Sequence, residues 1–175
     1  MGVGEYPDNC PTCGGIGYKD GHICTGNYRR ISVGIVVYTG GTFDVPHAGH
    51  AYFFKQIKEL FPDSYVIVSL NTDEFVKEYK GKNPLYSYME REYLVGMFYG
   101  VDLIIKNKGG KDSKPSILEA NPNVIAIGSD WLEKDYLKQM DFTEEWLREH
   151  GISLIYIPNP RVTSTTEIKK RIQNA

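Results

Sequence analysis

The chain has 175 residues, a formal net charge of −2 and 41% hydrophobic residues, the profile of one well-buried globular domain. This near-neutral balance argues against a general nucleic-acid binder, which usually carries a basic excess. The N-terminus lacks the apolar stretch of a signal peptide, and no apolar run approaches the ~20 residues of a membrane span. We therefore expect a cytoplasmic protein with no nucleic-acid partner and no membrane span.

Residues 1–30 are rich in glycine and cysteine and have no core-forming periodicity, so we expect a separate small appendage. An odd number of cysteines in an intracellular chain makes a disulfide framework unfavourable. Cys10, Cys13, His22 and Cys24 instead supply four N/S ligands, enough for a closed tetrahedral structural zinc site. The stretch "CPTCGGIG" also resembles half of the C-x-x-C-x-G-x-G repeat of chaperone zinc modules. The alternative is a flexible tail with reduced thiols.

From Ile31 onward, short apolar runs alternate with longer amphipathic ones. The first run is β-branched and ends in glycines, which is typical of a buried strand. The pattern predicts strands at 31–38, 64–70, 101–106, 123–128 and 152–158. It predicts helices at 48–61, 73–79, 86–99, 131–139, 143–150 and 165–173.

Strands that alternate with helices indicate an α/β fold, a Rossmann-like, doubly wound parallel sheet of five strands spanning residues 31–175. In such sheets ligands bind outside the carboxyl ends of the strands, where the strand order switches. Polar, charged and glycine residues follow nearly every predicted strand, as in "TGGTFDVPHAGH", "NTDEF", "KNKGG", "GSDW" and "PNPRVTSTTE". We expect the site at this edge of the sheet.

The turn "GGTFDVPHAGH" carries two histidines three residues apart at a strand-to-helix junction. Gly40, Gly41 and Gly49 let the backbone approach a ligand closely, and the N-terminus of the following helix suits phosphate oxygens. His47 and His50 would lie on one helical face and could donate hydrogen bonds to oxygens that gain charge in a transition state. The alternative is that both are incidental surface or capping residues.

"GTFDVPHAGH" resembles the G-x-F-D-x-x-H-x-G-H signature of the cytidylyltransferase-like nucleotidyltransferases. The Walker pattern of P-loop proteins is absent from the sequence. The likeness is greatest to the glycerol-3-phosphate cytidylyltransferases and runs from about Val33 to Ile172. Further matching motifs are "NTDEF", "KGKNPLYSYMER", "VDLII", "GSDW" and "TSTTEIKKRI". Within them, the positions that match the family are Asp73, Lys80, Lys82, Arg91, Asp102, Asp130 and Trp131.

Each of these positions also has a purely structural reading. Lys80 and Lys82 could lie on a solvated loop, and Arg91 could form a surface ion pair worth only ~0–1 kcal/mol. Ser164 and Glu167 fit a helix capping box that needs no ligand. Trp131 could serve in packing alone.

Two departures from the family pattern affect specificity. An arginine that helps to hold the nucleotide phosphates in the family corresponds to Asn159 here, while Arg161 follows two places later. The family's arginine two places before V-D corresponds to Tyr99. Arg161 could reach the same phosphates from a differently folded loop.

The resemblance implies a role for each matching side chain. Its catalytic residues are His47, His50, Lys80 and Lys82, which act on the triphosphate, the developing charge and the attacking phosphate. Its nucleotide-binding residues are Gly41, Thr42, Phe43, Asp102, Asp130, Arg161, Ser164, Thr165 and Thr166. Its substrate-binding residues are Asp44, Asp73 and Arg91, of which Arg91 holds the acceptor phosphate and Asp44 orients the turn rather than binding metal.

The implied reaction is transfer of CMP from CTP to a small phosphomonoester, most simply glycerol 3-phosphate, with release of pyrophosphate and without a covalent intermediate. Mg²⁺ would accompany the nucleotide, and relatives are commonly homodimers. An adenylyltransferase of the same fold that makes a coenzyme precursor is the nearest alternative, because adenine also has an exocyclic amine for Asp102. A nucleotide-sensing adaptor without turnover is the other.

Overall fold

The chain divides into two units, Met1–Ser32 and Val33–Ala175. A computed structural model describes residues 18–19, 22–23, 34–133, 135–158 and 163–175. In the first unit, strands β1 (Tyr18–Lys19) and β2 (His22–Ile23) pair antiparallel. The predicted zinc ligands Cys10, Cys13 and Cys24 and the His22 side chain lie outside the described part, so the zinc site stays a prediction.

The second unit is built on a five-stranded sheet whose strands are all parallel. Its strands are β3 (Val36–Gly41), β4 (Tyr65–Leu70), β5 (Leu103–Lys106), β6 (Val124–Gly128) and β7 (Ser153–Ile157). They lie in the order β5-β4-β3-β6-β7. The prediction of a Rossmann-like, doubly wound parallel sheet is confirmed.

Helices and one short 3-10 helix, Ser129–Glu133, connect the strands. They are α1 (Ala48–Leu60), α2 (Asp73–Lys80), α3 (Tyr88–Gly96), α4 (Lys114–Ala120), α5 (Tyr136–Gln139), α6 (Glu144–Glu149) and α7 (Thr165–Gln173). The region predicted as one helix at 131–139 is divided, because Asp135 caps α5 through Lys138 N and starts a new helix. Helix α4 was not predicted.

The sheet is buried on both faces because its side chains alternate between two apolar clusters. Val37 on β3 packs with Phe54 and Ile57 of α1 on one face. Tyr38, the next residue, packs on the other face with Ile117 of α4 and Tyr136 of α5. Because of this alternation, successive side chains of β3 lie on opposite faces of the sheet below the expected ligand site.

The strand order creates a crevice at the carboxyl edge. After the central strand β3, the chain builds β4 and β5 on one side and then returns to build β6 and β7 on the other. The loops that follow β3 and β6 therefore diverge, and the space between them is the usual ligand position in such sheets. Among the described residues, no helix is both long and apolar enough to span a membrane.

Candidate active site

A cavity of about 1210 Å³ lies over the carboxyl ends of the strands. Most of the side chains that the sequence assigned to a site meet there. They are Gly41, Thr42, Phe43, Asp44, His47, His50, Lys80, Lys82, Asp130, Trp131, Ser164, Thr165 and Thr166. Asp73, Arg91 and Asp102 do not line it, and Arg161 lies outside the described residues.

The two histidines form the start of α1. His47 is the N-cap, and its Nδ1 accepts a hydrogen bond from the Gly49 amide at 3.1 Å. His50 Nδ1 accepts from the His47 amide at 3.3 Å, which completes a reciprocal capping box. The rings stack with their centroids 3.8 Å apart. The capping interpretation is thus correct for Nδ1, and it is compatible with a ligand at Nε2.

These caps determine the protonation of the rings. Because Nδ1 of each histidine accepts a backbone N–H, the neutral ring must carry its hydrogen on Nε2. Burial lowers the pKa of His47, and burial together with the neighbouring His47 lowers the pKa of His50 to about 3. Both rings are therefore neutral near pH 7 and present Nε2–H donors in a cavity suited to anions.

Close packing holds the pair in place. A Cβ on Gly49 would lie 2.9 Å from His47 Cε1 and 3.2 Å from the Thr163 carbonyl oxygen, so only glycine fits there. Phe43 packs edge-on against His50 with ring centroids 5.1 Å apart and stacks on Phe54. Phe43 therefore supports the histidine from behind.

Asp44 ties three segments together. Its Oδ1 accepts from the amides of Leu85 and Tyr86 at 2.8 and 3.3 Å, and its Oδ2 accepts from Lys169 Nζ at 2.5 Å. Burial alone would raise the pKa of Asp44, but the hydrogen bonds and the charge of Lys169 outweigh it and lower the pKa. Since both carboxylate oxygens are used internally, Asp44 orients the turn, and the expectation that it binds substrate is not supported by these contacts.

The Asp44 turn has an unusual backbone. Phe43 and Val45, on either side of Asp44, have φ angles of 48° and 56°. A positive φ at β-branched Val45 costs of order 1–3 kcal/mol. The Thr165 hydroxyl donates to the Asp44 carbonyl at 2.6 Å and helps to hold this conformation. The strained turn thereby joins the start of α1 to the start of α7.

A chain of polar groups runs from Lys80 across the ends of three strands. Lys80 Nζ lies 3.4 Å from Thr42 Oγ1, which also accepts from Asn71 Nδ2 at 3.3 Å. Asn71 Oδ1 accepts from Asn107 Nδ2 at 2.8 Å. With two donors on its oxygen, the Thr42 hydroxyl keeps its own hydrogen for a third group. The sequence analysis missed both asparagines, although each directly follows a strand.

The start of α7 forms the opposite wall. Ser164 is its N-cap and accepts from the Glu167 amide at 3.2 Å. The Glu167 carboxylate pairs with Arg171, so only the serine half of the predicted capping box is formed. Lys169 was missed. Its position four residues after Thr165, hence on the same helical face, was the available signal.

Arg91 corrects one expectation. Its side chain is fully buried. It donates to the carbonyl oxygens of Tyr86, Thr42 and Asn71 at 3.0, 2.6 and 2.8 Å and pairs with Asp73 at 2.6 Å. Arg91 therefore joins the ends of β3 and β4 to α2 and α3 and does not reach an acceptor phosphate in this arrangement.

Asp73 is corrected with it. Besides the Arg91 pair, its Oδ2 accepts from the Tyr88 amide at 2.9 Å, at the first residue of α3. Its carboxylate thus connects the first turn of α2 to that of α3. Both members of this ion pair position the cavity wall from outside the cavity.

Asp102 is the third correction. It directly precedes β5, at the amino edge of the sheet opposite to the cavity. Its Oδ2 accepts from Lys58 Nζ and from the Val66 amide, both at 2.7 Å. An aspartate at the amino end of a parallel strand cannot reach a ligand over the carboxyl ends, so Asp102 does not select the base.

The end of β6 completes the cavity. A Cβ on Gly128 would lie 2.6 Å from Asp130 Oδ1, so glycine leaves the space that this carboxylate occupies. Trp131 packs edge-on against Tyr136 with centroids 5.3 Å apart and lines the cavity as well. Packing and ligand contact are therefore compatible for Trp131.

The charges around the cavity favour an anion. Its lining includes five lysines against three carboxylates, and one of those carboxylates, Asp44, is already neutralised by Lys169. The five are Lys80, Lys82, Lys111, Lys169 and Lys170. Two helix N-termini, those of α1 and α7, begin at the same cavity and add positive ends of their dipoles.

Comparison with known proteins agrees with this arrangement. The family model described as cytidylyltransferase-like matches residues 38–171. The glycerol-3-phosphate cytidylyltransferase of Bacillus subtilis (strain 168) is 33% identical over 137 residues, which cover 78% of this chain and 95% of that protein. The FAD synthase of Thermococcus sibiricus is also 33% identical, over 143 residues, with 79% and 92% covered.

A solved structure gives the same fold. The lipopolysaccharide core biosynthesis protein from Thermoplasma volcanium GSS1 matches with a TM-score of 0.55 and 25% sequence identity, covering 71% of this chain and 95% of that one. The matched region thus spans nearly all of these relatives and corresponds to the second unit of this chain.

Proposed function

The chain belongs to the cytidylyltransferase-like family of nucleotidyltransferases, and we propose that it transfers CMP from CTP to a small phosphomonoester, with glycerol 3-phosphate as its acceptor. A phosphate oxygen of the acceptor attacks the α-phosphorus of CTP. The bond from that phosphorus to the oxygen bridging to the β-phosphate breaks, and pyrophosphate leaves. The product is a CDP-alcohol.

The observation that carries this proposal is the pair of neutral histidines at the start of α1. Their Nδ1 atoms are held by backbone amides, so their Nε2–H groups can donate to the triphosphate without losing a proton. A fixed donor stabilises charge as it develops because no reorganisation is needed during the reaction. Lys80 and the start of α7 border the same cavity, so positive charge would flank a triphosphate bound there.

The other polar groups of the cavity would bind the phosphates of the two substrates. Lys80 and Lys82 would clamp the α-phosphate and the attacking phosphate, and the Thr42 hydroxyl would donate to one of those oxygens. Ser164, Thr165 and the first amides of α7 would hold the β- and γ-phosphates. Such catalysis is positioning together with charge stabilisation.

Mg²⁺ fits this site as a companion of the nucleotide. Asp44 cannot ligate it while its carboxylate holds Lys169 and two amides. Asp130 is the carboxylate that lines the β6 side of the cavity. Mg²⁺ prefers several waters and phosphate oxygens over an all-protein cage. When bound, it would neutralise part of the triphosphate charge.

A second candidate is adenylyl transfer to a flavin nucleotide. Four curated proteins similar to this chain are FAD synthases, and FAD is a flavin nucleotide joined to AMP. The cavity also has aromatic walls at Phe75, Tyr79, Trp131 and Tyr136, on which a flavin ring could pack.

Pyrophosphate release decides between these reactions. CTP and ATP are each incubated with glycerol 3-phosphate, ethanolamine phosphate and FMN. We expect release with CTP and glycerol 3-phosphate, at a rate that falls about 10²–10³-fold in Lys80→Ala. Release only with ATP and FMN would replace the first candidate by the second, and no release with any pair would favour a nucleotide-sensing adaptor.

Lys55→Ala is the matched control for that screen. Lys55 is an exposed lysine on α1 that pairs with Glu59, away from the cavity. We expect this variant to keep the wild-type rate with every substrate pair. A fall as large as that of Lys80→Ala would mean that total charge, rather than the position of Lys80, controls the reaction.

Three further features remain predictions. Structural zinc at Cys10, Cys13, His22 and Cys24 would appear as one zinc per chain in elemental analysis, lost on changing Cys10 and Cys13 to serine. A homodimer would show twice the chain mass in light scattering. A cytoplasmic location is checked by cell fractionation.

A further inference from the structure

A pair of hydroxyls beneath the cavity floor has no role in the phosphate chemistry described above. Tyr38 on β3 and Ser69 on β4 both line the cavity, yet their side chains are 2% and 1% exposed. The Ser69 hydroxyl bonds the Tyr38 hydroxyl and has no other hydrogen-bond partner among the described residues. One hydrogen bond between two hydroxyls uses only one of their two hydrogens, so the pair keeps a donor for a ligand.

The sheet register explains how these hydroxyls become reachable. Ser69 lies directly beside Gly40 in the parallel register, and Tyr38 lies two residues before Gly40, so the three occupy one face of the sheet. Gly40 is exposed although it belongs to the central strand. A Cβ there would lie 3.3 Å from the Tyr38 hydroxyl. The missing side chain of Gly40 therefore opens a passage from the cavity to the Tyr38 hydroxyl, which in turn bonds the enclosed Ser69 hydroxyl.

Both hydroxyls stay protonated. Burial raises the pKa of Tyr38 to about 12, against the opposing effect of its hydrogen bond with Ser69. Tyr136, which lines the same part of the cavity, also has a raised pKa because of burial. This floor consequently offers neutral donors and acceptors, which suit an alcohol and do not compensate a charge.

The position of the cavity floor, which Tyr38 and Ser69 form, indicates that it would contact the acceptor rather than the nucleotide. The triphosphate donors His47 and His50 and the start of α7 lie on the β3 and β7 side. The floor lies between β3 and β4, on the side of the chain of groups that joins Lys80, Thr42 and Asn71. Since Lys80 would bridge the α-phosphate and the attacking phosphate, the carbon skeleton of the acceptor would extend from there toward β4.

We propose that the Tyr38 hydroxyl, positioned by its hydrogen bond to Ser69, bonds a free hydroxyl of the acceptor through the passage at Gly40 and thereby selects a hydroxylated acceptor. This inference rests on the proposed function, because it takes the acceptor to be a phosphomonoester bound beside Lys80. Neither residue belongs to the motifs that the sequence analysis used.

Calorimetric binding tests the proposal without requiring turnover. Glycerol 3-phosphate, 2-hydroxypropyl phosphate and 3-hydroxypropyl phosphate are titrated into the protein, and the last two each lack one hydroxyl. We expect the wild type to bind one of these analogues about three- to ten-fold more weakly than glycerol 3-phosphate, the effect of one net hydrogen bond. Ser69→Ala should bind glycerol 3-phosphate as weakly as that analogue, and Tyr38→Phe should behave similarly. The affinity for CTP should not change in either variant.

Ser64→Ala is the matched control. Like the Ser69 hydroxyl, the Ser64 hydroxyl is buried. It has no partner among the described residues and directly precedes the same strand, β4, but Ser64 does not line the cavity. We expect this variant to bind all three acceptors like the wild type. Equal weakening by Ser64→Ala and Ser69→Ala would indicate a general effect of packing and would overturn the proposal.

Gly40→Ala supplies a second variant. Its methyl group would narrow the passage, so we expect the affinity for glycerol 3-phosphate to fall at least ten-fold and by more than the affinity for CTP. Three other results would overturn the proposal: no binding of any acceptor to the wild type, equal binding of all three, or weakening of CTP alone by Ser69→Ala. Acceptor selectivity without pyrophosphate release would instead sustain the proposal and defeat the proposed function.

Discussion

Two groups of charged and polar side chains from the same set of motifs are used in opposite ways. His47, His50 and Lys80 border the cavity, and within the described part of the chain the two histidine rings form hydrogen bonds through Nδ1 alone. Arg91 and Asp73 lie behind the cavity wall, and their hydrogen bonds go to the protein itself. The first group is arranged for a ligand, whereas the second fixes the strand ends and helix starts that carry the first.

This difference shows that position in a motif does not decide whether a residue contacts substrate. A fully buried arginine that donates to three carbonyl oxygens and one carboxylate has little capacity left for a phosphate. Removing this arginine should lower the free energy of unfolding, while removing a histidine Nε2–H should lower kcat. The two groups can therefore be separated by measuring stability and catalysis on the same variants.

Replacing Arg91 by methionine should cause the largest loss of stability. The change leaves Asp73 without its partner and the carbonyl oxygens of Thr42, Asn71 and Tyr86 without a donor. Because Asp73 is about one-third exposed, solvent screens part of the ion pair, and the main loss comes from the unpaired carbonyl oxygens. A buried polar group left unsatisfied costs about 1–3 kcal/mol, and urea denaturation measures the loss as a lower midpoint. Arg148→Met, at an exposed position on α6, should change stability by less than about 0.5 kcal/mol. An Arg91→Met variant that is as stable as the wild type but binds the acceptor more weakly would show that Arg91 contacts the acceptor.

Replacing His50 by alanine should act on turnover instead. Loss of one preorganised donor lowers kcat by about 10²–10³-fold, which a continuous pyrophosphate assay measures. His150→Ala is the matched control, because His150 is an exposed histidine at the C-cap of α6. An unchanged kcat in His50→Ala would contradict the assignment of the histidine pair to the triphosphate.

The low pKa of His50 also predicts a pH dependence of folding. The folded pKa is about 3, while the unfolded value is about 6.5. As the pH falls below 6.5, the unfolded chain binds a proton that the folded chain excludes, so stability decreases by up to about 1.4 kcal/mol per pH unit. Between pH 6.5 and 5, stability should fall more steeply in the wild type than in His50→Ala. Parallel profiles would mean that the imidazole is protonated in the folded protein.

The sequence supported the fold for physical reasons that lie within short segments. The strands were visible because both faces of a parallel sheet are buried, which leaves continuous apolar runs such as "SYVIVSL". The histidine turn was visible because helix caps and close backbone approach restrict residue types locally. Helix α4 was missed because it has only seven residues and starts at Lys114 with a proline next, so its apolar period is too short to recognise.

The errors in the site come from long-range packing. Arg91 contacts Thr42 and Asn71, which are 49 and 20 residues away in the chain, and no local pattern reports that enclosure. The sequence predicts only that Tyr38 and Ser69 belong to buried strands, because their position beside the cavity depends on the register of β3 against β4. Side chains that are positioned by the folded sheet cannot be identified from spacing alone.

We expect the smallest change in stability at Asp102, which lies at the amino edge of the sheet. This residue tests whether an internal charge far from the cavity affects ligand binding. Asp102→Asn removes the charge that pairs with Lys58 at 2.7 Å but keeps an oxygen for the Val66 amide. Because the carboxylate is about one-third exposed, solvent screens the pair, and we expect a loss of only about 0–1 kcal/mol in urea denaturation. The KM for CTP should stay within two-fold of the wild-type value, because the group lies at the amino ends of the strands. A large rise in that KM without a loss of stability would show that Asp102 contacts the nucleotide base. Asp102 would then belong to the ligand-facing charges and not to the internal ones.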